Sequence, residues 1–543
     1  MGADENSLTI DILVTSDLHG HLFPTDYRSS EERPFGLGKL AALIERERRG
    51  AEATLLIDNG DLLQGSPLAY YCAKLAGGGE HPCVAALNRL RYDAAVIGNH
   101  EFNYGRALLD RAVRDAAFPW LSANTVDLAT GGPAFGKPYI VKTFRGGVKA
   151  AVLGVTTHYV PNWEQPEHIE GLEFRDALSA VKQWAEYIRR EERPDVLIVA
   201  YHGGFERDLE SGRPTEPDTG ENQGYAMLLE AAGIDVLITG HQHRSIAAVV
   251  RGVACVQPSC NGQALGKVSV TLTRRDGGWT VARKDVRLLE PNAETPADVD
   301  VLSVADELER RTQAWLDQPL GVVEGAMSIA DPMAARAEEH PFIEFVNRVQ
   351  MEAASVDISC TALFADECRG FGEQVTMRDI LGNYMFPNTL KVLRLSGRDI
   401  RAALERSAAY FTVGADGRLS VHPSFLAPKP QHYNYDMWEG IDYRLDVSKP
   451  VGERVVMLER HGRPIDPDAS YDVVMNNYRA AGGGEYPMFR DKPVVKEIPF
   501  DMVELLANAI MERRVVVAAC NRNWAVVYGA SASPPVPCVQ TKL

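Results

Sequence analysis

Five short apolar runs in the first half of the chain each stop at side chains able to hold a metal ion. Residues 10–14 lead into Ser16-Asp17-Leu18-His19-Gly20-His21, and residues 55–57 into Asp58-Asn59-Gly60-Asp61. Residues 94–97 lead into Gly98-Asn99-His100-Glu101, residues 196–200 into Tyr201-His202-Gly203-Gly204, and residues 236–239 into Gly240-His241-Gln242-His243. Longer amphipathic stretches, such as 37–49 and 177–192, stand between several of these runs. Short β-branched runs alternating with amphipathic ones predict α/β layers. In such a sheet, ligands collect beyond the carboxyl ends of the strands, so five endings of this kind converge on one rim. The glycines beside them let the backbone turn tightly and approach an ion or a phosphate.

The donors are imidazole, carboxylate and amide oxygen, with no thiolate. Such sets suit Mn, Fe, Co or Zn without choosing among them. They are too many for one tetrahedral ion, which points to two divalent metal ions sharing a bridging carboxylate, an arrangement that activates water and clamps a phosphoryl oxygen. The eight cysteines form no close pair and read as small buried hydrophobes. Net charge is −17, and a surface that acidic repels a polyphosphate backbone, which excludes a nucleic-acid polymer as partner. No stretch reaches the roughly 18–20 apolar residues a membrane helix needs. The amino terminus lacks the basic and apolar regions of a secretory signal, so the chain as it stands is expected in the cytoplasm, or outside it if a leader was removed.

At 543 residues the chain is too long for one core. Residues 268–272 and 279–288 read as a hairpin about Arg274-Arg275-Asp276-Gly277-Gly278. Prolines and acidic residues follow, then a polar helix over 301–316. The expected division is a first domain over 1–292, a linker over 293–320, a second domain over 321–528 and a frayed tail over 529–543. The second domain has helix-like 341–353, 398–410 and 501–513, and strand-like 389–395, 454–459 and 472–476.

The fragments Asp17-Leu18-His19, Gly60-Asp61, Gly98-Asn99-His100-Glu101, His202 and Gly240-His241-Gln242-His243 resemble the pattern of the calcineurin-like metallophosphoesterases. The resemblance implies a four-layer α/β/β/α sandwich. It implies one metal on Asp17, His19, Asp61 and His243, and another on Asp61, Asn99, His202 and His241, with Asp61 bridging. His100 would then face the substrate phosphate as acid and transition-state stabiliser, beside Asn103.

Over residues 9–528 the chain resembles the two-domain 5′-nucleotidase group. The resemblance rests on Phe118-Pro119-Trp120-Leu121-Ser122-Ala123-Asn124 and on Asn476-Asn477-Tyr478-Arg479-Ala480-Ala481-Gly482-Gly483-Gly484-Glu485-Tyr486-Pro487. Asn99-His100-Glu101-Phe102-Asn103-Tyr104-Gly105, Phe386-Pro387-Asn388-Thr389-Leu390 and Trp438-Glu439-Gly440-Ile441-Asp442-Tyr443 are similar to its bacterial 2′,3′-cyclic-nucleotide 2′-phosphodiesterase/3′-nucleotidase branch. True 5′-nucleotidases usually carry an aspartate at Asn103, and an N-G-G-G-I-R run where this chain has Ala362-Leu363-Phe364-Ala365-Asp366. The resemblance implies hydrolysis of a small nucleotide by a metal-bridged hydroxide, opening 2′,3′-cyclic nucleotides and dephosphorylating 3′-nucleotides. A 5′-nucleotidase or nucleotide-sugar hydrolase is the alternative enzyme, and a non-catalytic nucleotide sensor the alternative outside enzymes. The group grips the base between two aromatic rings in its second domain. Phe386 and Tyr486 match those positions, with Tyr384 nearby and Arg479 as a further substrate contact or a structural ion pair. The helix-bearing linker would join a smaller α/β nucleotidase domain to the first.

Overall fold

The computed structural model describes residues 6–528 except 217, 276, 277 and 387. The tail expected over 529–543, Asp276 and Gly277 of the hairpin turn, Pro387 and Cys538 lie outside the described residues. The chain divides into two compact units, Met1–Thr312 and Gln313–Leu543. That division falls inside a helix, Asp306–Leu316, within the stretch read as linker. The single helix expected over 301–316 is in fact two. Val299–Leu302 is capped by Asp298, and the Ser303 hydroxyl donates back to the Asp300 carbonyl at 2.8 Å, ending that turn before the second helix begins.

Unit 1 is built on two six-stranded sheets. In spatial order the first runs Gly278–Leu289, Leu265–Arg275, Ser7–Thr15, Ala53–Asp58, Ala94–Val96 and Trp120–Leu121. The second runs Ser245–Val250, Val253–Pro258, Val236–Ile238, Val196–His202, Lys149–Thr156 and Tyr139–Thr143. Within each, the strands that lead into the ligand residues are parallel, so their carboxyl ends share one rim. Strand side chains alternate between faces. Ile10, Ile12, Val14, Leu55 and Ile57 of the first sheet therefore meet Val152, Ile198, Val236 and Ile238 of the second in a buried core.

The outer face of the second sheet packs on helix Ala177–Glu191 through Val181, Ala185 and Ile188. Asp176 caps that helix, accepting the Ser179 N–H, and Arg189 and Arg190 close its last turn. On the far side, helix Leu37–Gly50 lies against Leu265–Arg275. These are the four layers, α/β/β/α, that the resemblance implies.

Unit 2 centres on a five-stranded sheet, in the order Asp436–Glu439, Ser359–Ala362, Ser470–Asn476, Leu390–Ser396 and Val494–Ile498. Helix Pro341–Ala354 packs against this sheet. Among the described residues, no helix is long and apolar enough to cross a membrane.

Candidate active site

The loops beyond the strand ends are held together by backbone before any side chain acts. Asp17 N–H donates to the Gly60 carbonyl at 2.9 Å and His19 N–H to the Asp61 carbonyl at 2.8 Å. The Glu101 carboxylate ties in the third loop, accepting the N–H groups of Asp61, Leu62, Leu63 and Gly98 at 2.6–3.1 Å. The turns are tight. Asp17, His19, Asp61, His241 and His243 all sit at φ between 48° and 65°, a region non-glycine residues rarely adopt and which clusters at functional sites. Glycines make the approach possible, because a Cβ on Gly98 would collide with the Asp61 and Glu101 carboxylates.

Two groups of donors result. Asp17, His19 and His243 place ligand atoms within 4.8 Å of one another, and so do Asp61, His202 and His241. Asp17, Asp61 and His202 are fully buried, His19, Asn99 and His241 nearly so, and His243 is half-buried. Asn99 Oδ1 joins the second group, 3.0 Å from His202 Nε2 and 2.9 Å from His241 Nδ1. Asp61 Oδ2 lies 3.1 Å from His202 Nε2. His19 Nε2 and His243 Nε2 face each other at 3.0 Å.

The hydrogen bonds on the outward side of each ring decide what this set can hold. His19 Nδ1 meets the Gln64 carbonyl at 2.9 Å, His202 Nδ1 the Asn59 carbonyl at 2.7 Å, and His241 Nε2 the Glu221 carboxylate at 2.8 Å. Each acceptor fixes the ring's hydrogen on that side and turns the lone pair of the other nitrogen inward. The inward side therefore collects nitrogen lone pairs, carboxylate oxygens and an amide oxygen, which only a cation satisfies. The electrostatics show the same demand for positive charge, met at His202 by a proton that a metal ion would displace. Burial works against charge on His202, yet Asp61 beside it raises the ring to about 10. Burial also works against Asp17, but the His243 hydrogen bond and His202 hold it at about 2. Burial, with His243 adjacent, pushes His19 down to about 3 and keeps it a neutral donor. The residues fit divalent metal ions.

His100 stands apart from both groups. Its backbone N–H donates to Asp61 Oδ1 at 2.8 Å, and its half-buried ring engages Asn103, Nδ1 to Oδ1, at 2.6 Å. Its ring centroid is 5.3 Å from that of His19.

Unit 2 corrects two of the expected substrate contacts, Tyr486 and Tyr384, and places Arg479 in the structural ion pair that was its alternative. Tyr486 is wholly buried. Its ring stacks on Phe489 at 5.5 Å and 14°, and the Arg479 guanidinium lies over it at 4.0 Å. Its hydroxyl bonds Ser407 at 2.8 Å and donates to the Asn434 carbonyl at 3.1 Å. Neither face is open to a base. Arg479 is buried in an ion pair with Asp436 at 2.7 Å and donates to the Tyr433 carbonyl at 2.8 Å, which makes it structural. Tyr384 is buried edge-on against Phe364 at 4.7 Å. Phe386 is half-exposed, and beside it stand two half-exposed rings, Tyr433 and Tyr478. Phe386 and Tyr433 lie 6.5 Å apart, and Tyr433 and Tyr478 6.4 Å apart. Asn476 caps the turn at 477–480 by accepting the Arg479 N–H at 2.8 Å.

Sequence gives no signal for Gln64 or Glu221, which meet the site only through the fold. Glu101 lies inside the Gly98-Asn99-His100-Glu101 motif, but residue type does not show that its carboxylate gathers four N–H groups.

Comparison with known proteins bears on the same residues. Residues 10–245 match the calcineurin-like phosphoesterase family and residues 319–491 the 5′-nucleotidase C-terminal domain. A candidate 5′-nucleotidase of Staphylococcus aureus, crystallised with α-ketoglutarate, is 38% identical, with a TM-score of 0.87 over 96% of this chain and 100% of that one. The 2′,3′-cyclic-nucleotide 2′-phosphodiesterase/3′-nucleotidase of Salmonella typhimurium is 29% identical over 89% of this chain and 83% of its own. The trifunctional nucleotide phosphoesterase protein YfkN of Bacillus subtilis is 28% identical over 95% of this chain, which spans 39% of that longer protein. The chain thus belongs to the calcineurin-like phosphoesterases that carry a 5′-nucleotidase C-terminal domain, a family of metal-dependent nucleotide phosphoesterases.

Proposed function

We propose that this chain is a dinuclear-metal hydrolase that opens 2′,3′-cyclic nucleotides and removes the 3′-phosphate from the product. The observation that carries this reading is the pair of donor groups, Asp17 with His19 and His243 and Asp61 with His202 and His241, and the His100 backbone N–H on Asp61 Oδ1. Asp17, His19, Asp61 and His243 would hold one ion, and Asp61, Asn99, His202 and His241 the other. Bound there, the pair supplies Lewis acidity toward a phosphoryl oxygen and an activated water. The chain's own residues do the rest. His100 delivers a proton to the departing ribose oxygen, and its tie to Asp61 keeps the ring beside the donor groups. Unit 2 carries three half-exposed rings, Phe386, Tyr433 and Tyr478, and a ring of this kind stacks on any base.

The choice of bond rests on the similarity to the Salmonella protein over most of both chains, and on asparagine at 103. A second reading, 5′-nucleotidase, is favoured by the Staphylococcus protein at 38% identity. Phosphate release from 3′-AMP and 5′-AMP, and ring opening of 2′,3′-cyclic AMP, by purified protein supplied with Mn separate the two. Faster turnover of the cyclic and 3′ substrates supports the proposal, and faster turnover of 5′-AMP overturns it.

A further inference from the structure

The hydrogen-bond chain behind His100 does not stop at Asn103. Asn103 Nδ2 donates to Glu164 Oε2 at 2.7 Å. Glu164 Oε1 accepts the Gln165 N–H at 2.8 Å and lies 2.8 Å from His168 Nδ1. The Glu164 side chain is 5% exposed, so its carboxylate is spent on these partners and little on water. Its neighbour Trp163 stacks on His241 at 5.3 Å and 26°, which anchors the segment to a residue of the second donor group.

The donor and acceptor inventory allows only one reading of this chain. A carboxylate has no hydrogen to give, so Glu164 selects the NH₂ end of the Asn103 amide. The amide carbonyl is then turned to His100, and a carbonyl only accepts. His100 must therefore carry hydrogen on Nδ1, which leaves Nε2 as the nitrogen that takes up a proton and passes it, from the imidazolium, to the leaving oxygen. An asparagine alone does not ensure this, because its two ends are nearly the same shape. Flipped, it would offer hydrogen to Nδ1 and place the ring in the opposite tautomer. An aspartate needs no such help, since both its oxygens accept.

We infer that Glu164 is a positioning residue for His100: it holds the Asn103 amide in one orientation and thereby fixes the tautomer and pose of the His100 ring. The inference rests on the reading of His100 given above.

The test is a double-mutant cycle on 2′,3′-cyclic AMP. Glu164→Gln should lower kcat by roughly 10–100-fold, the usual cost of losing an orienting partner, with KM and metal content little changed. In an Asn103→Asp background the orienting carboxylate is superfluous and carries a like charge. There, Glu164→Gln should leave kcat unchanged or raise it. An equal fall in both backgrounds would mean Glu164 only braces its segment, and no fall in either would mean it does nothing for His100; both overturn the inference. ¹⁵N spectra of histidine-labelled, zinc-loaded protein give a second readout independent of turnover. His100 should show one tautomer with hydrogen on Nδ1, and Glu164→Gln should mix in the other. An unchanged tautomer in that variant also overturns the inference. His100→Asn separates this failure from that of the underlying reading, because a normal rate in that variant removes His100 itself.

Discussion

A histidine that binds no metal and one that does should fail in different ways. His100 touches Asp61 only through its backbone N–H, so His100→Asn should keep the metals. Its rate on nucleotides should fall by roughly 10²–10⁴-fold, the range for a lost acid–base group. A nitrophenyl ester, whose leaving group needs little protonation, should suffer less. Metal analysis beside kinetics on both substrates checks this, and equal losses on the two would assign His100 to charge stabilisation instead. Gly98→Ala should fail differently again. Its methyl would displace the Asp61 and Glu101 carboxylates, so both metal content and thermal midpoint should drop. At this scale the sequence is legible where chemistry is carried by residue type at a strand end, as with Asp17, Asp61 and His241. It is illegible where a role depends on a partner far along the chain. Glu221 reaches His241 and Glu164 reaches Asn103 only because the fold brings them there.

The elements were the easier part to foresee. Helices Leu37–Gly50, Ala177–Glu191 and Pro341–Ala354 fall within a residue or so of the periodic stretches, because apolar spacing marks all three and side-chain caps start the last two. The helix over 301–316 broke at Ser303, where a local side-chain bond competes with helix continuation. In unit 2, sequence shows that a ring is present but not which way it faces. Tyr486 therefore read as a clamp, whereas its hydroxyl and both faces are committed to the core. Two variants separate these roles. Tyr433→Ala with Tyr478→Ala should raise KM for nucleotides by about 1–3 kcal/mol per lost stack, while sparing a small aryl phosphate. Tyr486→Phe should instead leave KM unchanged and cost about 0.5–1.5 kcal/mol of stability, the worth of a buried hydrogen bond. A rise in KM from Tyr486→Phe with normal stability would reverse the assignment.

At the scale of the molecule, the stability of unit 2 should depend on pH through a carboxyl cluster unrelated to catalysis. Burial, then Glu344 and Glu439 nearby, push Glu339 up from 4.5 to about 9. The unfolded chain releases this proton near the ordinary value, the folded one only near 9. The group's stabilisation is therefore complete below about 4.5 and is lost as pH rises toward 9. Thermal midpoints should fall across that window, and Glu339→Gln should flatten the slope; a slope unchanged in the variant would contradict the assignment. In unit 1, Asp61 stands with His202 and His241, and the proposed two-metal centre requires its carboxylate to serve the ion held by Asp17, His19 and His243 as well. Metal stoichiometry by mass spectrometry on wild type and Asp61→Asn, each with its rate on 2′,3′-cyclic AMP, tests it most directly. Wild type should carry two divalent ions per chain, and Asp61→Asn, still folded, at most one tightly held ion and almost no turnover. Two tightly bound ions and a near-normal rate in Asp61→Asn would contradict the account.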